Sequence, residues 1–312
     1  MNTINTAEKP EKRTKGNDLM SQHPFAYGRY YLLNIVIYSL ITMLVLAWHP
    51  LFESVSYWWI LCLVPLFLNR FRYILSGMLL LSVIVLSVYW SEVSSVYLIL
   101  FPAALYLGHL SAAVIHNAVH NSFKPVWLNN VIGELCALQQ LSAGYPVFKL
   151  VHYEHHIYPD DPEKDPHPSL GYTFWGYVDA GRSLVQKRLT AIYLEKWGDS
   201  EASRKSWRMQ EGLLLCARFV KTFFWFCLLG PKFFVLLFVP SYVSYVYLFS
   251  SFNYFTHREK ADGSIEILNL DNNWYYRFCN KTLFGVFYHK NHHLKPRLFN
   301  PMHMEEEGNK KA

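Results

Sequence analysis

Long apolar stretches separated by short polar breaks dominate the pattern of the chain. Six stretches can be delimited, at residues 31–48, 55–68, 73–90, 97–115, 213–229 and 233–252. A helix that crosses a bilayer needs about 20 apolar residues, with a range of roughly 17–25, and the stretch 55–68 is short by that measure. The pattern predicts an all-α polytopic membrane protein with about six transmembrane helices, or four as the lower count.

The polar segments between these stretches predict the domain organisation. Residues 1–29 are polar and basic and contain no apolar signal-peptide core, so we expect a disordered tail. Residues 30–300 would form one membrane domain, with a helical cap made of 116–212 and 253–300, and residues 301–312 a second tail. Within the cap, the segment 128–141 mixes apolar and polar residues at helical spacing. It either lies along the membrane surface or packs under the cap.

The charges along the chain predict its orientation. Arg70 and Arg72 lie between the second and third stretches, whereas the loops around Glu53 and Glu92 carry no Lys or Arg. Lys232 is the one exception. Because Lys and Arg concentrate on the cytoplasmic side, we expect a cytoplasmic N-terminus, cap and C-terminus. The net charge of +6 then reflects contact with anionic lipid; nucleic-acid binding is not expected, since no aromatic-basic RNA motif accompanies the charge.

Nine histidines fall into four short clusters at the ends of the apolar stretches. The clusters read HNAVH, HYEHH, NYFTH and HKNHH, and their histidines are His116, His120, His152, His155, His156, His257, His289, His292 and His293. Residues three or four apart share one face of a helix, so each cluster can aim its imidazoles at one point. The five cysteines are scattered and form no CxxC pair, which predicts neither a disulfide framework nor a thiolate site.

The number of imidazoles indicates more than one metal ion. Nine ligands exceed the four of a closed structural zinc site, and two ions with four or five nitrogens each would account for them. Imidazole ligands suit iron, copper, zinc or nickel, so ligand type alone does not select the metal.

The order HxxxH, HxxHH, NxxxH and HxxHH resembles the integral-membrane fatty acid desaturase and hydroxylase superfamily. The run HYEHHIYPDDPEKDP looks like that family's second box and its acidic sequel, and the resemblance covers roughly residues 95 to 300. Separately, NYFTH followed by YHKNHH is similar to segments of bacterial alkane hydroxylases, which belong to the same superfamily.

The resemblance implies a non-haem di-iron centre, O2 as oxidant and attack on a C–H bond of a fatty acyl chain. It implies that the nine histidines are iron ligands and that Asn253 holds a metal-bound water or lies just behind the ligands. Desaturation is the outcome we favour. Hydroxylation of a fatty acid or alkane, or oxidative decarboxylation of a free fatty acid to a terminal alkene, are the alternatives.

Two departures set the chain apart from the alkane hydroxylases. Asn117 follows the first histidine, where those enzymes usually carry an acidic residue, and HKNHH is shorter than their final pattern. The HPGG haem motif of cytochrome b5 is absent from the sequence, so we expect electrons from a separate donor of the ferredoxin, rubredoxin or cytochrome b5 type. Lys290, Lys295 and Arg297 either steer an acidic donor or contact lipid phosphates.

Four further polar residues are candidates for supporting roles. His109 lies inside the fourth stretch on the face of His116; it either serves the substrate tunnel or a ligand, or makes an interhelical hydrogen bond. Glu154 either orients an imidazole or is solvated. Asp161 and Asp165 either hydrogen-bond ligand histidines or shape the turn, and we favour the turn. The other histidines are expected to be incidental: His23, His49, His167 and His303.

Two functions of other classes remain as alternatives. A membrane metal transporter needs ionisable residues near the bilayer midplane along a pathway, whereas these clusters lie at the ends of the spans. A zinc enzyme with hydrolytic chemistry would show activity independent of O2.

Overall fold

Helices make up most of the computed structural model, which describes residues 26–48, 64, 68–141 and 143–304. The two strands of the described residues, β1 (His257–Glu259) and β2 (Ile265–Ile267), form a short antiparallel hairpin in which His257 lies opposite Ile267. The helices are α1 (Gly28–Trp48), α2 (Phe71–Tyr89), α3 (Ser95–Val119), α4 (Leu128–Gln139), α5 (Tyr145–Ile157), α6 (Phe174–Trp197), α7 (Glu201–Phe233), α8 (Val239–Thr256), α9 (Trp274–Thr282) and α10 (His289–Leu294).

Four helical segments are long and apolar enough to cross a membrane: Gly28–Trp48, Phe71–Glu92, Ile99–Val119 and Glu201–Thr256. Their outer faces expose large apolar side chains such as Leu44 and Val83, as lipid contact requires. The prediction of an all-α polytopic membrane protein is confirmed. The predicted span 55–68 lies almost entirely outside the described residues, as do residues 1–25 and 305–312 of the predicted tails.

The segment Glu201–Thr256 contains both later predicted spans and reverses its direction between them. Gly230 has a positive φ of 70° beside Pro231, a backbone conformation that glycine adopts without strain. Across the bend, the rings of Phe226 and Phe234 lie 5.5 Å apart and those of Trp225 and Phe238 lie 5.6 Å apart. In a straight helix the second pair would be about 20 Å apart, so α7 and α8 form an antiparallel hairpin.

Helices α3 and α8 pack against each other at very short range. A Cβ atom at Gly108 would lie 2.0 Å from the carbonyl oxygen of Ser241. Small residues at such crossings allow membrane helices to approach closely. Because α3 ends at the first histidine pair and α8 ends at His257, this packing fixes the relative position of the two helix ends that carry histidines.

Helix α4 runs back along α3, antiparallel to it. At its start, Asn129 accepts a hydrogen bond of 3.0 Å from the backbone N–H of Phe123, just after the end of α3. At its end, Gln140 donates hydrogen bonds to the carbonyl oxygen and hydroxyl of Ser111, deep in α3. The segment 128–141 therefore packs under the cap along α3.

Helix α5 returns from that depth toward the end of α3. It begins after Gly144, whose φ of 104° suits glycine, and a Cβ there would meet the hydroxyl of Tyr30 at 2.3 Å. In the second half of α5, the hydroxyl of Tyr153 donates to the carbonyl of Val119, the last residue of α3, at 2.8 Å. The α4–α5 hairpin (128–157) thus returns the second histidine box to the level of the first.

The two ends of α2 carry different charged contacts. Before its first residue, Arg70 forms an ion pair of 3.5 Å with Asp179 of α6, on the side where the cap begins. Beyond its last residue, Glu92 accepts a hydrogen bond of 3.1 Å from Lys232. Lys232, the exception to the charge pattern in the sequence, is therefore neutralised at the end of the molecule opposite the cap.

Candidate metal centre

The first histidine pair closes α3. His116 lies one turn before the end of the helix and His120 is its C-cap residue, so their rings share a face, with centroids 5.7 Å apart. The preceding residues Ile115, Ala118 and Val119 are fully buried. Apolar packing around this helix end therefore keeps the pair rigid and away from water.

The remaining histidines come from α5, the end of α8 and the short helix α10. His152 and His156 occupy successive turns of α5 with rings 4.6 Å apart, and His155 faces a different direction. His257 is the C-cap residue of α8 and is extended. The last box forms α10, in which His289 and His292 are buried.

The structure brings all nine histidines together in two adjoining groups. The five-histidine group consists of His116, His120, His152, His156 and His292; the four-histidine group consists of His155, His257, His289 and His293. Within each group, one nitrogen from every ring lies within 4.8 Å of all the others. Seven of the nine rings are buried.

The nitrogens that converge are the Nε2 atoms. Those of His120 and His152 are 2.7 Å apart, and that of His156 is 3.0 Å from His152 and 3.1 Å from His292. In the four-histidine group the Nε2 atoms of His289 and His293 are 3.1 Å apart.

Three further Nε2 atoms, of His116, His155 and His257, are buried without a hydrogen-bond partner among the described residues. A buried polar atom without a partner is costly. A cation in each group would bind these lone pairs at once, so the residues present fit two metal ions. Cysteines take no part in these groups, and the described cysteines are free thiols.

Two buried carboxylates fix the orientation of the four-histidine group. Asp165 accepts a hydrogen bond of 2.8 Å from Nδ1 of His155, and Asp160 accepts one from Nδ1 of His257. A proton held on Nδ1 leaves Nε2 as the lone-pair nitrogen, which is the arrangement that supports a metal ligand. Asp160 is itself held by the backbone N–H and the hydroxyl of Ser169.

Asp160 and His167 were not selected from the sequence, yet both lie at this site. The His167 ring centroid lies 4.6 Å from that of His155, and its Nδ1 lies 3.7 Å from Asp165. The expectation that His167 is incidental is therefore wrong. Both residues belong to the run PDDPEKDPHPS that follows the second box, and this proximity in sequence was the only available signal.

Burial sets the protonation state of the ligand-like rings. Desolvation, reinforced by neighbouring imidazoles, holds the pKa values of His152, His156 and His292 well below their usual range. Neutral imidazole is the form that binds a metal ion. Burial likewise disfavours a charged His155, but the Asp165 carboxylate outweighs it and raises the pKa of that ring. The four-histidine group, which lies beside the two carboxylates, therefore has the more negative electrostatic surroundings of the two groups.

The other candidate residues have different partners. Asn253 donates to the carbonyl of Phe249 at 2.8 Å, and its Oδ1 is buried without a partner among the described residues. Glu154 is buried and pairs at 2.7 Å with Arg188 rather than with an imidazole. Asp161 accepts hydrogen bonds from the backbone N–H groups of the next turn, the role favoured for it in the sequence. Asp165, for which the same role was favoured, instead bonds His155.

His109 lies away from both histidine groups. Its ring nitrogens contact the hydroxyls of Ser244, at 2.5 Å, and Tyr275, at 2.9 Å. It lines an apolar cavity of about 500 Å³ that Pro102, Leu105 and other apolar side chains enclose. His109 therefore makes the predicted interhelical hydrogen bond and also faces a cavity.

A second cavity, which we call the central cavity, extends to His167, beside His155 of the four-histidine group. It measures about 170 Å³, and Phe148, Phe249 and His167 line one end of it. The Phe148 ring lies parallel to that of His152 at 6.1 Å. The central and apolar cavities share Phe71, Val178 and Val246 as lining residues, so the two cavities adjoin each other.

The comparison with protein families agrees with this geometry. The family model described as Fatty acid desaturase matches residues 93–301, more than half of the chain and nearly the range over which the sequence resemblance was drawn. The chain therefore belongs to the fatty acid desaturase family. Membership implies an oxidoreductase that acts on fatty acyl chains in a membrane. No curated protein and no solved structure matches the chain significantly.

Proposed function

We propose that this protein is an O2-dependent non-haem di-iron enzyme that oxidises a fatty acyl chain, and that the reaction is desaturation. The observation that carries the proposal is the convergence of nine Nε2 atoms into two adjoining groups, with the central cavity extending to His167 beside them. The membrane domain would comprise residues 30–300, with the cap made of 116–212 and 253–300.

The nine histidines would hold the two ions, five around one and four around the other. Bound iron would supply the reduction of O2 and the oxidising power for C–H cleavage. The protein residues hold the rings in place: Asp165 and Asp160 keep protons on Nδ1 of His155 and His257, so that both Nε2 lone pairs face inward. Asn253, with its unpartnered Oδ1, would hold a water molecule beside the four-histidine group.

The walls of the central cavity would position the chain to be oxidised. Phe148 and Phe249 have ring centroids 5.5 Å apart, and the ring of Phe148 packs on His152. A methylene held against these rings would lie beside the histidine groups and away from bulk water. Removal of two hydrogens from neighbouring carbons gives an alkene. Removal of one hydrogen followed by transfer of hydroxyl to the same carbon gives an alcohol. Removal of a hydrogen from the β carbon, with one further electron passing to the oxidant and the carboxylate leaving as CO2, gives a terminal alkene.

The outer surface of the cap carries basic residues that favour the use of a separate electron donor. Lys290 belongs to α10 between two histidines of the last box, and Lys295 and Arg297 follow it; all three are exposed. This short basic surface would attract an acidic ferredoxin, rubredoxin or cytochrome b5. We also propose that the cap, the N-terminus and the C-terminus face the cytoplasm, because Arg70 lies at the cap end of α2 and Glu92 at the other end.

A metal transporter is a weaker explanation of the same residues. Both histidine groups lie together at one end of the spans, and seven of the nine rings are buried. A transport pathway would need exchangeable sites along the bilayer axis.

The test combines metal analysis with product analysis. The protein and its His155→Ala and His292→Ala variants are expressed with an electron donor in a host that lacks such activities; His303→Ala, at an exposed histidine, is the matched control. We expect about two iron ions per chain, and new unsaturated products by gas chromatography–mass spectrometry, for the wild type and the control only. Hydroxylated or terminal-alkene products would replace desaturation by an alternative outcome. Zinc alone, with activity independent of O2, would overturn the proposal.

A further inference from the structure

Two arginines lie at the end of the central cavity that is remote from the histidines. Arg182 of α6 and Arg218 of α7 both line it, together with apolar residues such as Val185. Both also line another cavity of about 110 Å³, whose other walls include Gln186, Gln210 and Glu211. The two guanidinium groups therefore lie between the two cavities.

The two arginines are fixed in different ways. Arg182 donates a hydrogen bond of 2.5 Å to the hydroxyl of Tyr242 and lies over its ring at 5.8 Å. The Nε atom of Arg218 is buried without a hydrogen-bond partner among the described residues. Arg218 also lies inside an apolar segment, LLLCARFVKTFF, of a helix long enough to span the membrane.

A partly buried guanidinium without an opposite charge is unfavourable, because the loss of hydration around its buried Nε atom is not offset. Among the ion pairs of the described residues, none involves Arg218. An ionisable residue within a membrane span indicates a functional role by default. The arrangement calls for an anion that carries an apolar chain.

We propose that Arg182 and Arg218 bind the carboxylate of a free fatty acid, so that the acid itself is the substrate class of this site. The inference rests on the proposed function for the reaction and extends it to the head group. Guanidinium binds carboxylate through two parallel hydrogen bonds. A thioester or methyl ester presents no charge at that position and would leave Arg218 without an opposite charge.

The remaining part of the central cavity would accommodate the chain of the acid. Along α8, Phe249 lies seven residues after Tyr242, about 10 Å along the helix axis. The Phe249 ring is 5.9 Å from that of His167, which packs on His155. A carboxylate held at Arg182 would therefore place the oxidised carbon at a fixed distance from the acid end.

The first part of the test is binding, measured on metal-stripped protein so that it does not depend on turnover. Radiolabelled laurate and methyl laurate are titrated against the wild type, Arg218→Gln, Arg182→Gln and Arg218→Lys in lipid nanodiscs. We expect laurate to bind about ten- to a hundredfold more weakly to both Gln variants, with partial recovery in Arg218→Lys. Methyl laurate should bind all four proteins equally, which would also show that they are folded. The matched control is Arg208→Gln, at an exposed arginine of the same helix.

Equal affinity of wild type and Gln variants for laurate would overturn the inference, as would competition by phosphatidic acid at equal strength, since the site would then be a phosphate site. The second part of the test is turnover of laurate and lauroyl-CoA. Oxidation of lauroyl-CoA alone, unchanged in Arg218→Gln, would overturn the inference and leave the proposed function intact. Arginine-dependent binding of laurate without oxidation of any acyl substrate would support the inference and contradict the proposed function.

Discussion

Asp165 accepts a hydrogen bond of 2.8 Å from Nδ1 of His155, and both side chains are almost completely buried. The same carboxyl oxygen accepts the backbone N–H of Asp160, the residue that orients His257. One loop thus determines the tautomer of two rings in the four-histidine group. Burial disfavours the ionised form of Asp165, yet His155 and His167 hold its pKa below its usual range, so it stays a carboxylate.

This relationship predicts the effect of removing a carboxylate without changing its shape. Asp165→Asn should weaken metal binding by about 10- to 100-fold, the usual effect of losing a hydrogen-bond partner of a metal ligand. Asp160→Asn should act similarly. Competition with a chelator, followed by metal analysis, measures the change. The matched control is Asp161→Asn, in the same turn but bonded only to backbone N–H groups, and it should retain wild-type affinity. Equal losses in all three variants would point to a disrupted loop instead.

The buried ion pair between Glu154 and Arg188 predicts a second, purely structural effect. Glu154→Gln leaves the buried guanidinium with only the exposed Glu195 as an ionic partner. We expect a loss of roughly 3 kcal/mol in the free energy of unfolding, because breaking a buried pair costs about 3–5 kcal/mol. Asp199→Asn, which breaks the exposed pair with Arg204, should have a much smaller effect, because solvent screens an exposed ion pair. Thermal unfolding in nanodiscs compares the two; a smaller loss for Glu154→Gln than for Asp199→Asn would contradict the assignment.

The close crossing of α3 and α8 predicts that Gly108 tolerates no side chain. In Gly108→Ala the new methyl group would meet the Ser241 carbonyl at 2.0 Å, so the helices must separate, at a cost of roughly 1–3 kcal/mol. Because these helices end at His116 and His257, metal content should fall as well. Gly212→Ala is the control, since nothing lies within 4 Å of its Cβ position, and it should raise stability by about 0.5–1 kcal/mol. Unchanged stability in Gly108→Ala would mean that α3 and α8 lie farther apart at Gly108 than the structure shows.

The position of His109 predicts that stability and metal binding respond separately. Replacing it in His109→Leu removes the contacts with Ser244 and Tyr275 and should lower the free energy of unfolding by about 1–3 kcal/mol. The metal content of the folded protein should stay at the wild-type value, because the ring contacts neither histidine group. Loss of metal from the folded His109→Leu protein would instead show that His109 contributes to the metal centre.

The histidines could be selected from the sequence because their spacing is local. Residues four apart, such as His116 and His120, must share a helical face whatever the rest of the fold does. The helical class was equally accessible, since long apolar stretches such as 97–115 leave few alternatives in a membrane.

Asp160, Arg182 and Arg218 could not be selected in the same way. Asp160 meets its partner His257 across 97 residues of sequence, and only the tertiary fold brings them together. Arg218 lies in the predicted span 213–229 with one other charged residue, Lys221, among apolar residues, and its role depends on the cavity it faces. The direction of α4 was also open, because an amphipathic pattern does not distinguish a helix on a membrane surface from one packed along α3.

The α4–α5 hairpin and the late helix α10 give the metal centre an unusual dependence on the order of assembly. The five-histidine group draws its members from α3, from α5 and, with His292, from a helix close to the C-terminal end of the described chain. During synthesis, four of its rings would be in place long before the fifth emerges. Until α10 packs against α3 and α5, the four earlier histidines lack the fifth imidazole of their group, so a complete metal site requires that α10 has been synthesised and folded into place.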